Sequence, residues 1–148
     1  NSRGRITAMP GLHPFLEKAR QAGILLGVGT GSGAKNTAYV LDLIGVSHFF
    51  QAVVGSHQVK EGKPAPDIFL RAAELLGADP ADCIVFEDAI PGIEAAARAG
   101  MNCVAVTTTN SGEAFAPYSN ILDVIDDFLQ VNPVSLFDRL HESRTATL

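Results

Sequence analysis

At 148 residues, 47% of them hydrophobic, the chain amounts to one domain able to fill a sizeable core. A net charge of −5 with no basic stripe argues against nucleic acid and anionic membrane as partners. No apolar run approaches the ~18 residues a membrane span requires, and Cys83 and Cys103 alone make no disulfide scaffold. The expected setting is the reducing cytoplasm, or an organelle stroma if a transit segment lies upstream. The chain opens Asn1-Ser2-Arg3-Gly4, with neither an initiating methionine nor signal-peptide architecture.

Strand-length apolar runs alternate with helix-period segments. Leu12 to Ala22 reads as a helix on Leu12, Phe15, Leu16 and Ala19, stopped by Gly23. Ile24 to Val28 is a continuous apolar run, hence a buried strand. Thr30 to Gly33 is a glycine-rich loop, Thr37 to Ile44 a helix closed by Gly45, and Ala52 to Val54 a short strand. Lys63 to Pro66 is a rigid loop, followed by a helix over Asp67 to Leu76 ending at Gly77. Cys83 to Phe86 is a strand, Gly92 to Ala99 a helix and Cys103 to Val106 a strand. Ile121 to Ile125 reads as a last edge strand, with a helical tail around Val134 to Leu140. Strands separated by ten- to fifteen-residue helical patterns are βαβ units, so the class is α/β with a parallel sheet flanked by helices.

Three strand ends carry chemistry. Glu87 and Asp88 close the run Ile84-Val85-Phe86 and precede Ala89-Ile90-Pro91-Gly92-Ile93. This puts paired negative charge at the carboxyl edge of a sheet, where open α/β sheets place their ligands. Carboxylates so close repel, and a hard cation such as Mg²⁺ relieves the repulsion. The plainer reading is two solvated loop acids at a helix start, where negative charge suits the dipole.

Gly29-Thr30-Gly31-Ser32-Gly33 follows a buried strand and precedes a helix. Glycines let backbone N–H groups approach an anion, and the Thr30 and Ser32 hydroxyls add donors. An ordinary strand-to-helix turn is the plainer reading. A dinucleotide fingerprint fits Gly29-x-Gly31-x-x-Ala34 only loosely, because Ala52-Val53-Val54 runs into Gly55-Ser56 rather than an acid; no Walker lysine follows either. Lys63-Pro64-Ala65-Pro66-Asp67 presents Lys63 from a stiff segment. An ammonium there can neutralise charge on a transferring phosphoryl group, although most lysines are simply solvated. His13, His48, His57 and His141 show no metal-binding spacing, and Ser47 and Ser56 lack the partners of a nucleophile.

These three elements in this order resemble the haloacid dehalogenase-like hydrolases, in the branch of β-phosphoglucomutases and sugar-phosphate phosphatases. The resemblance runs from about Pro10 to Phe128 (10–128) of a single partial core domain spanning 1–148, with 129–148 as a tail. It implies a Rossmann-like core in which Thr30 and the Gly31 N–H bind the transferring phosphoryl group. By the same resemblance Lys63 balances phosphate and nucleophile charge, while Glu87 and Asp88 hold Mg²⁺. Ser32, Lys35 and Asn36 resemble substrate-loop positions. The implied partner is a small phosphorylated metabolite.

The family's first motif, an Asp-x-Asp whose first carboxylate is the nucleophile and whose second is the general acid/base, does not occur in this chain. Arg5-Ile6-Thr7-Ala8-Met9-Pro10-Gly11 looks like the family's re-entry from its cap into the core. The expectation is therefore a partial enzyme: the C-terminal core of a Mg²⁺-dependent phosphatase or phosphomutase, inactive alone, its central first strand and cap missing. The start without methionine favours an incomplete sequence. A naturally truncated, non-catalytic phosphate- or Mg²⁺-binding module is the alternative, and an oxidoreductase fragment rests on the glycine loop alone. Loss of a central strand would leave two unpaired inner edges, and with them a marginal isolated fold.

Overall fold

The computed structural model describes residues 9–31, 33–108 and 110–146; most of the cap re-entry segment, Arg5 to Ala8, lies outside them. Helix α1 (Leu12–Gln21) leads to strand β1 (Gly27–Gly29), α2 (Ala34–Leu43), β2 (Ala52–Val54) and α3 (Asp67–Leu76). Then come β3 (Ile84–Glu87), α4 (Ile90–Arg98), β4 (Asn102–Val106), β5 (Ile121–Ile125) and α5 (Pro133–Ala146). Local chemistry explains the boundaries. Gly23 and Gly77 leave α1 and α3 with positive φ, a conformation that satisfies terminal carbonyls at no steric cost. Pro91 sits in the first turn of α4, where its missing N–H costs no hydrogen bond. No helix among the described residues is long and apolar enough to cross a membrane.

All strand pairing is parallel, as the alternating pattern predicts, but it falls into two sheets. β1 pairs β2, with Val28 opposite Val53, and β3-β4-β5 form the second sheet, with Val85 opposite Cys103. β5 is an edge, as expected. Side chains alternate across β4: Cys103 and Ala105 face a core with Ile68, Phe69 and Ile93 of α3 and α4. Val104 faces the opposite core with Phe15, Leu16, Phe128 and Leu136. This period of two gives a helix layer on each side.

Among the described residues no strand lies between β1 and β3. Their inner edges flank an apolar slot of about 530 Å³, walled by Phe15, Leu26, Val28, Leu76, Ile84 and Phe86. Shared helical packing spans it, for Val54 of β2 and Val85 of β3 belong to one buried cluster.

Several predicted bounds shift. β1 is shorter than Ile24–Val28 because the Leu26 N–H donates to the Gln51 side-chain Oε1 at 2.7 Å, delaying the ladder to Gly27. α2 begins at Ala34 rather than Thr37, on an extended Gly33 whose carbonyl accepts from the Thr37 N–H and hydroxyl. α4 begins earlier than Gly92, and α5 runs beyond Leu140.

Cys83 and Cys103 are both free thiols. Burial pushes the Cys103 thiol up to about 12 from 9.0. Above pH 9 the unfolded chain sheds a proton that the folded chain keeps, so this group lowers stability progressively between pH 9 and 12. The stability difference between wild type and Cys103→Ala should therefore shrink across that window in chemical denaturation. A difference constant with pH would contradict it.

Candidate active site

The carboxyl ends of β1 and β3 face each other across the mouth of the slot, and Lys63 joins them. Its Nζ donates to Glu87 Oε2 at 2.8 Å and to the Gly29 carbonyl at 3.3 Å. Both side chains are largely withdrawn from water, at 19% exposure for Lys63 and 12% for Glu87, so the pair is screened less than a surface ion pair.

Glycine makes this arrangement possible at two points. A Cβ on Gly29 would stand 3.2 Å from Cδ1 of Phe69, so its absence lets that ring close on the strand end. The ring in turn carries Lys63, whose Nζ lies 4.9 Å from its centroid, a cation–π contact. A Cβ on Gly92 would fall 2.0 Å from Cδ of Glu87, so the first turn of α4 leaves space that the Glu87 side chain fills. Glu87 Oε1 faces the backbone N–H groups of Asp88 and Ala89 at 3.3 and 3.4 Å. The α4 N-terminus thereby favours its negative charge.

Asp88 follows in the turn after β3. Its Oδ2 accepts from the Thr108 hydroxyl at 3.0 Å, and its carbonyl accepts from Asn110 Nδ2 at 3.2 Å. On the β1 side, the Thr30 N–H donates to the Val54 carbonyl at 3.0 Å, which fixes the start of the glycine loop beside Gly29. Gly31 is exposed there.

The fold thus gathers Thr30, Gly31, Lys63, Glu87 and Asp88 at one edge. Asn36 and Lys35 lie exposed in the first turn of α2. Neither is among the hydrogen-bond partners of Lys63 or Glu87. Ser32 lies outside the described residues. Sequence reading missed Phe69, Thr108 and Asn110: Phe69 lies unmarked inside the helix predicted over Asp67 to Leu76, and a Thr/Asn loop carries no periodicity. Gly92 was visible only as part of a Pro-Gly helix opening.

The donor set suits a hard cation. Mg²⁺ is commonly held by one or two carboxylates, with water and substrate phosphate completing an octahedron, and Glu87 with Asp88 offers two adjacent carboxylates. No group of three or more metal-binding side chains occurs among the described residues, so this edge by itself is not an all-protein cage.

The structure is thus a parallel α/β core with a glycine-rich loop, a lysine and an acidic pair at successive strand ends. The chain belongs to the haloacid dehalogenase-like hydrolases, whose family model matches residues 2–100. Over 81 residues it is 48% identical to the fructose-1-phosphate phosphatase YqaB of Escherichia coli, covering 55% of this chain and 43% of that protein. It is 45% identical over 108 residues to a β-phosphoglucomutase of Mycobacterium tuberculosis, covering 70% of this chain and 40% of that one. The fold matches the crystal structure of β-phosphoglucomutase from Clostridium difficile with a TM-score of 0.79 at 28% identity, over 93% of this chain and 58% of that one. The chain therefore spans about two fifths of the first two relatives.

Proposed function

We propose that this chain is the C-terminal core of a Mg²⁺-dependent phosphatase or phosphomutase acting on a small sugar phosphate. The observation that carries the reading is Lys63, suspended between the ends of β1 and β3 by the Gly29 carbonyl and Glu87, the residue that precedes Asp88. An ammonium fixed there meets the charge that develops on a phosphoryl group in transfer. Thr30 and the Gly31 N–H would hold two of its oxygens at the same edge. Glu87 and Asp88 would hold the cation, which supplies charge neutralisation at the phosphate. The two relatives named for fructose-1-phosphate and phosphoglucose chemistry support a sugar-phosphate substrate.

The attacking aspartate would come from the slot. A volume of about 530 Å³ suits a small ligand as well as a strand. Two facing strand edges, however, carry backbone N–H and C=O groups that a parallel strand satisfies and an apolar ligand leaves unpaired. A strand inserted there would end beneath Lys63, where a carboxylate meets both the ammonium and a bound phosphate. On this reading the described chain alone turns nothing over. The absence of Asp-x-Asp from its 148 residues also favours a second reading, a phosphate- or Mg²⁺-binding module without catalysis. Phosphate binding by the isolated 148 residues, without hydrolysis, would be common to both. Turnover by the intact protein supports only the first.

In the intact protein, Asp88→Asn is expected to abolish Mg²⁺-dependent phosphate release from a panel of hexose and pentose phosphates. Release at the wild-type rate would overturn the assignment.

A further inference from the structure

The turn that carries Asp88 is held from the next strand end by contacts to both its side chain and its backbone. The loop after β4 donates the Thr108 hydroxyl to Asp88 Oδ2 at 3.0 Å and the Asn110 amide to the Asp88 carbonyl at 3.2 Å. That loop is anchored on its far side. The Thr107 N–H donates to the Ile125 carbonyl at 2.9 Å, and its hydroxyl to Asp126 Oδ1 at 2.5 Å. Three strand ends, β3, β4 and β5, are thereby tied in series, and Asp88 is the terminus that faces the site.

We propose that Thr108 and Asn110 are positioning residues that set the orientation of the Asp88 carboxylate toward a divalent cation. The inference rests on the reading of Asp88 as a cation ligand. A carboxylate on a turn has free rotation about χ1 and χ2, and orienting it on binding costs side-chain entropy. A hydroxyl donated to one oxygen removes much of that freedom in advance, and the amide on the carbonyl fixes the backbone from which the side chain projects. Groups of this kind around metal ligands typically change affinity by about 10- to 100-fold when removed. Thr108 is exposed, so replacing it with valine keeps its shape and removes its donor without opening a cavity.

The test is Mn²⁺ affinity, measured on the intact protein by electron paramagnetic resonance for wild type, Asp88→Asn, Thr108→Val, Thr108→Ser and Asn110→Ala. Expected are a loss of binding in Asp88→Asn, a roughly tenfold weaker affinity in Thr108→Val, and recovery in Thr108→Ser, which keeps the hydroxyl. Asn110→Ala should weaken binding in the same direction, with unfolding temperatures of the Thr108 variants unchanged. Wild-type affinity in Thr108→Val alongside a dead Asp88→Asn overturns the positioning role and leaves the cation site standing. Wild-type affinity in Asp88→Asn overturns both.

Discussion

Replacing Lys63 with methionine is expected to lower turnover of the intact protein by about 10²- to 10³-fold, the usual loss when one preorganised charge-stabilising donor is removed. It is also expected to destabilise the fold. Methionine keeps the length of the stem and its packing on Phe69, so the change isolates the ammonium. Without it, Glu87 retains, among the described residues, the two long approaches to the Asp88 and Ala89 N–H groups, at 3.3 and 3.4 Å, in a setting where 12% of its side chain meets water. Breaking a fully buried pair costs ~3–5 kcal/mol. Both partners here keep some solvent, so about 1–3 kcal/mol is the appropriate scale. The two effects separate in a second variant. Lys63→Met with Glu87→Gln removes the uncompensated charge, so its unfolding temperature should return toward wild type while turnover stays low. Steady-state kinetics and thermal unfolding read the two quantities independently. A Lys63→Met protein with wild-type kcat would contradict the role given to the ammonium.

The second large effect is on folding. Phe15→Ala is expected to cost about 3–5 kcal/mol, a large share of a domain's margin of ~5–15 kcal/mol. Phe15 of α1 is 5% exposed, and its ring centroid lies 5.2 Å from that of Phe86 on β3 and 5.1 Å from that of Phe128 after β5. Phe86 and Phe128 are themselves 5.4 Å apart. The three rings join a helix, a strand and a loop, and Phe15 and Phe86 also wall the slot. The same loop is docked by backbone: the Phe128 N–H donates to the Pro10 carbonyl at 2.9 Å. Next to it, Gly11 takes φ +81° at a point where a Cβ would lie 2.5 Å from the Leu129 nitrogen. Truncating Phe15 removes the one side chain that α1 contributes to this triad. A fall in unfolding temperature of roughly 10 °C is expected for a chain of this size. Leu129→Ala, at a position 66% exposed, should change stability by no more than ~0.5 kcal/mol. Equal effects at the two positions would contradict the triad's role.

Much of this fold was legible because short-range chemistry decides it. α3 begins at Asp67 and ends at Leu76 as predicted, since Pro66, with no N–H to give, suits the start of a helix and not its interior, and Gly77 leaves it with positive φ. β2 and β5 fall where their apolar runs lie. β1 did not, because a strand ends where its ladder ends, and the Gln51 side chain takes the Leu26 N–H that the ladder would have used. The early start of α2 likewise depends on the extended Gly33, which the periodicity of later residues does not report.

The site divides in the same way. Thr30, Gly31, Glu87 and Asp88 could be picked out from the sequence because each stands where an apolar run breaks into glycine or charge, and Lys63 because two prolines stiffen the segment that follows it; such signals are local. Their meeting at one edge is a tertiary fact: Lys63 reaches Glu87 across 24 positions and Gly29 across 34. So are the ring of Phe69 beneath the ammonium, the space left by Gly92, and the hold of Thr108 and Asn110 on Asp88. The sequence alone determined the alternation of strand and helix and the chemical kind of each strand end. Only the tertiary structure decided which ends face each other and that the sheet divides at an apolar slot. Strand order and side-chain proximity come from contacts between residues far apart in the chain, and no local pattern carries them.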